Sequence, residues 1–107
     1  MSVELAAFRD SLRGAAPPDG LSGLLCALWH DAKGDWNRAH EIVQDQKGRD
    51  AAWVHAYLHR KEGDLSNAGY WYRHAGAPAC KTPLEEEWES IAAALLTAAG
   101  RPSPDRP

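Results

Sequence analysis

The chain is poor in several residue types that would have declared a function. It has two cysteines, one methionine and one phenylalanine in 107 residues. Cys26 lies in an apolar segment and Cys80 close to Pro78, so the pair makes neither a disulfide framework nor a CxxC metal motif, and Cys26 is expected to be a buried thiol. Long apolar runs are also missing. The strongest, residues 24–29, is far short of the roughly 20 residues that span a bilayer, and no basic-then-apolar leader opens the chain. These features predict a cytoplasmic protein with no membrane partner. Charge of one sign is not in excess: 12 basic and 15 acidic residues leave a net −3, and the basic residues are scattered. Nucleic acid is therefore not an expected partner. No stretch alternates apolar and polar residues between turn signals, so no strands are expected and the fold class is all-α.

What the chain does have is five tryptophans, five histidines and an internal repeat. Shifted by 29 residues, Ala27, His30, Gly34, Asp35 and Ala39 fall on Ala56, His59, Gly63, Asp64 and Ala68. In each copy, glycine suits the left-handed residue that ends a helix and the following aspartate suits the cap of the next. Two helical hairpins follow, with helices expected over about 21–33, 36–46, 51–62 and 65–75. Asp50 is expected to cap the third, and Gly48 to act as a stop in the linker before it. Leu5, Phe8 and Leu12 mark an N-terminal amphipathic helix. Thr82, Pro83, Leu84 and Glu85 read as a capping box ahead of a last helix with the apolar stripe Leu84, Trp88, Ile91 and Leu95. Residues 1–99 thus form one helical-repeat domain, with repeats at about 21–48 and 49–77, and residues 100–107 are expected to be a disordered tail.

Alanine, a glycine–aspartate turn, alanine, an aromatic and alanine again, seen at Ala56, Gly63, Asp64, Ala68, Tyr72 and Ala75, resemble tetratricopeptide-like repeats. Residues 67–76 are similar to the closing helix of the related Sel-like repeats. The resemblance covers residues 21–76, with a period shorter than the roughly 34 residues usual for that family. It implies a short α-solenoid of about six helices. It also implies an interaction module whose concave face holds a protein or peptide segment, with no cofactor. Carried onto this chain, the groove positions are Asp50, Trp53, Tyr57, Arg60 and Lys61 in the second unit and Leu21, Leu24, Leu28 and Asp31 in the first. Two aromatics beside two cations suit an acidic or carboxylate-ended ligand.

A second reading starts from the histidines. His55 and His59 stand one helical turn apart on the face that meets the neighbouring helix, and His30 and His40 are expected to face inward near them. Imidazoles at i, i+4 share a divalent metal ion when a third ligand is supplied, with Glu41 or Asp31 available to complete the set. The alternative function is therefore a small metal-binding protein or enzyme with a pocket lined by His30, His40, His55 and His59. No HExxH motif is present, because Ala56 follows His55. The two readings separate on whether the ring nitrogens converge.

Overall fold

Glycine and aspartate punctuate this chain as backbone chemistry requires. A computed structural model describes residues 3–99, and among these the secondary structure is entirely helical. The helices are α1 (Val3–Asp10), α2 (Gly23–Ala32), α3 (Trp36–Gln44), α4 (Arg49–Glu62), α5 (Leu65–Ala75) and α6 (Leu84–Ala99), with a 3₁₀ turn over Ser11–Arg13. Gly34 and Gly63 have φ of +90° and +92°, where a side chain would be strained. Both make the same closing bonds: Asp35 N–H donates to the His30 carbonyl and Asp64 N–H to the His59 carbonyl, each at 2.9 Å. The aspartates then cap the following helices, their Oδ1 atoms accepting from Arg38 N–H and Asn67 N–H at 3.1 Å. So α2 with α3, and α4 with α5, fold back as tight hairpins.

The alanines of the repeat lie where the paired helices approach. Ala27, Ala39 and Ala56 are fully buried and Ala68 almost so. The main core runs from α1 through α2 and α4 to α6, around Phe8, Leu25, Leu28, Leu58, Trp88 and Ile91. Phe8 stacks on Trp88, and Trp88 donates its indole N–H to the Leu28 carbonyl at 3.0 Å. The last helix therefore belongs to the core, and packs against α1, α2 and α4.

Three local expectations need correction. Asp50 does not cap α4: the cap is Gly48, with φ of +101°, and Asp50 lies exposed in the helix's first turn. The stop before it is Asp45, at the end of an α3 two residues shorter than expected, because residues 45–48 are needed to carry the chain between hairpins. Helix α6 opens at Leu84, where the Pro83 carbonyl accepts from Glu86 and Glu87 N–H. The Thr82 hydroxyl is engaged with Cys80 Sγ at 3.1 Å. The tail expected at 100–107 lies outside the described residues. Among the described residues, no helix is long and apolar enough to cross a membrane.

Candidate metal centre

The start of α3 is pinned to α4 by one bond that decides where the histidines meet. Trp36 donates its indole N–H to the Leu58 carbonyl at 2.7 Å, and one helical turn later on the same side comes His40. There His40 meets His55 and His59 of α4. One ligating nitrogen from each of the three lies within 4.8 Å of the others. His40 Nε2 and His55 Nε2 are 3.1 Å apart. The two nitrogens share a hydrogen bond, and their separation is close to the roughly 3.3–3.4 Å between two nitrogens bound to one tetrahedral zinc ion at about 2.0–2.1 Å each.

Flat rings hold the cluster in register. Trp36 stacks on His40 with centroids 4.8 Å apart, and Trp71 of α5 stacks on His55 at 4.0 Å. His55 in turn stacks on His59 at 4.9 Å. The third imidazole is oriented by a carboxylate: His59 Nδ1 is 2.7 Å from Glu62 Oε2. With Nδ1–H donating to Glu62, the lone pair of His59 resides on Nε2, which is the carboxylate–histidine arrangement that supports metal ligands.

Burial and neighbouring imidazoles favour the neutral form of two of the rings, His55 and His40. Burial, then the neighbouring His40 and His59, push the His55 pKa down to about 4. His40 is lowered by burial first and by His59 second, with Glu62 working partly against them. A neutral imidazole is the form that ligates a metal, so His40 and His55 offer lone pairs at neutral pH without first losing protons.

His55 and Trp71 also line a cleft of about 410 Å³ between α3, α4 and α5, together with Gln46, Lys47, Arg49 and His74. His30 stands apart from the cluster. Its ring meets Trp29 edge-on, and it is a member of no ligand group among the described residues. Neither expected carboxylate joins the three histidines. Glu41 pairs with Arg38 at 2.7 Å, and Asp31 is occupied elsewhere.

The residues placed on the concave face are drawn together around two buried carboxylates. Glu87 of α6, 1% exposed, accepts from Tyr72 on both oxygens at 2.6 and 2.9 Å, from Trp53 at 3.1 Å and from Arg60 at 2.9 Å. Arg60 also donates to the Thr82 carbonyl. Asp31, equally buried, accepts from Tyr57 at 3.0 Å and from Lys61 at 2.9 Å. Burial, followed by Asp31, raises the Tyr57 pKa well above the ordinary phenol value, so its hydroxyl remains a donor. Leu28 is fully buried, and Leu21 and Leu24 pack partly buried against the core. Of the positions assigned to the groove in the second unit, Asp50 alone among the described residues has no side-chain partner.

Sequence reasoning passed over Trp36, Trp71, Glu62 and Glu87. Two were readable as spacing: Trp36 precedes His40 by four residues, and Glu62 follows His59 by three. Glu87 was signalled too, since it lies three residues after Leu84 and four before Ile91, on the apolar stripe of α6. Compared with protein-family models, curated proteins and solved structures, the chain matches none.

Proposed function

We propose that this protein binds one divalent transition-metal ion through His40, His55 and His59. The observation that carries the reading is the convergence of three ring nitrogens within 4.8 Å, two of them 3.1 Å apart. Imidazole donors suit zinc, copper, nickel, cobalt or iron rather than calcium or magnesium. Three protein ligands leave coordination positions for water or a substrate, whereas structural zinc sites close with four. The donor set is therefore of the reactive kind. Glu62 acts through His59, fixing its tautomer and raising its basicity.

The interaction-module reading loses support on the same geometry. Trp53 and Arg60 are bound to Glu87 of α6 and Tyr57 and Lys61 to Asp31 of α2, so a ligand on that face would have to compete with the chain's own carboxylates.

Isothermal titration with zinc, and cobalt(II) absorption as a geometric probe, test the proposal. One ion per chain is expected, with His40→Ala, His55→Ala and His59→Ala each weakening binding at least 100-fold while His30→Ala does not. Zinc affinity unchanged by His40→Ala would overturn the site.

A further inference from the structure

Two clefts among the described residues differ in how their charges are used. The cleft near α1 and α6, about 430 Å³, mixes cations with their acids: Lys61 pairs with Asp31, and Arg9 with Glu89. The cleft beside the histidines contains no carboxylate among its lining residues, yet holds Lys47 and Arg49. Neither cation has an acidic partner among the described residues. Their sequence neighbours Asp45 and Asp50 are exposed and outside the lining. The Arg49 guanidinium lies beside Gly76 at the C-terminal end of α5, where carbonyl dipoles favour a cation. Trp71 also lines this cleft, and its indole N–H has no hydrogen-bond partner among the described residues. The amide of Gln46 completes the polar wall.

We infer that this cleft takes a small molecule bearing an oxyanion, a carboxylate or a phosphate, as the substrate or external ligand of the metal centre. Lys47 and Arg49 supply the charge, with Arg49 offering the planar fork that matches either group. His55 belongs both to the cleft and to the ligand set, so the anion binds against the imidazole that holds the metal. The inference rests on the metal reading for the ion beside the cleft. The cleft's own charge pattern is independent of it.

Inorganic phosphate and acetate, titrated separately at constant ionic strength into zinc-loaded and metal-free protein, provide the test. One of the two should bind at least tenfold more tightly than chloride, with phosphate preference assigning a phosphoryl ligand and acetate preference a carboxylate. The double variant Lys47→Gln, Arg49→Gln should lose at least tenfold in that affinity while keeping zinc affinity and melting temperature. Trp71→Phe, which retains the stacked ring and deletes the donor, should lose a smaller factor. In cobalt-loaded protein, the anion should shift the visible absorption. Zinc binding without anion preference over chloride, or anion affinity unmoved in the double variant, would overturn the inference and leave the metal site standing. Anion binding dependent on Arg49 in a protein that takes up no zinc would instead remove the metal.

Discussion

Two buried polar clusters flank α4, and they are opposites. Around Glu87, donors outnumber what one carboxylate can leave free: a tyrosine, an indole and a guanidinium all end on two oxygens. Around His55, three imidazoles with acceptor nitrogens share one short contact and one carboxylate, and much of their capacity is unspent. A saturated network fixes a fold, because any rearrangement exposes an unpaired group in low dielectric. An unsaturated cluster of soft donors held by stacked rings is suited to receive something. The same helix thus carries a saturated network on the face toward α6 and the proposed metal ligands on the face toward α3.

The largest expected effect breaks the saturated side. Glu87→Ala strands Arg60, Tyr72 and Trp53 in the interior, and losing one partner of such a buried pair costs about 3–5 kcal/mol. That is a large share of the roughly 5–15 kcal/mol that holds a small domain together. Urea denaturation should show a midpoint far below wild type. Zinc affinity of the protein that remains folded should be unchanged, because no Glu87 contact reaches the histidines. A wild-type midpoint would mean that the Glu87 network is not what closes α6 onto the hairpins.

The histidine side should respond to acid. His55 titrates at about 4 in the folded protein and near its ordinary 6.5 when unfolded. Between those values the unfolded chain binds the proton that the folded chain refuses, so stability falls as pH drops from about 6.5 toward 4. Melting temperatures of the metal-free protein across that window should show this decline. His55→Phe, which keeps a flat ring against Trp71, should lessen it, leaving the smaller part that His40 contributes. A decline equally steep in the variant would assign it to other groups.

Why some of this was legible and some not follows from where each signal resides. The hairpins were readable because Gly34, Asp35, Gly63 and Asp64 act through backbone geometry within a few residues of themselves, and the alanines follow from the closeness that such turns impose. The pairing of His55 with His59 was readable for the same reason, as one turn of one helix. His40 joins them only because α3 packs on α4, a contact between repeats. The 29-residue shift suggested equal roles for His30 and His59, but only His59 faces α3 of the preceding hairpin. That the expected groove residues are engaged by the chain's own carboxylates depended on a tertiary fact as well. Glu87 stands in a run of three glutamates in the first turn of α6, where the helix dipole favours any anion, and its burial on the apolar stripe is set by what packs there.

A smaller effect should separate support from ligation. Glu62→Gln keeps size and a hydrogen-bond acceptor for His59 Nδ1 but removes the charge that raises the ring's basicity. Loss of such an outer partner typically weakens metal binding by about 10–100-fold. Zinc titration should place Glu62→Gln between wild type and His59→Ala, with the cobalt spectrum retaining its shape. A changed spectrum would make Glu62 a ligand itself. Unchanged affinity would make the His59–Glu62 contact a surface pairing without consequence for the metal.

The smallest expected effect calibrates the rest, because it touches stability and leaves both clusters alone. Gly34 and Gly63 have nearly the same φ, and a Cβ built on either meets no atom within 4 Å. Alanine at either position is therefore opposed by backbone strain alone, about 1 kcal/mol, with no clash to add. Equal destabilisation is expected from Gly34→Ala and Gly63→Ala, measured as matched shifts of the denaturation midpoint. Gly34 ends α2 and adjoins none of the three histidines in sequence, whereas Gly63 follows Glu62 directly and closes the helix that carries His55 and His59. If Gly63→Ala only strains the turn, its zinc affinity will equal that of Gly34→Ala. If it weakens zinc binding while Gly34→Ala does not, the last turn of α4 is what aims Glu62 at His59. The metal centre then depends on a backbone turn as well as on its three rings.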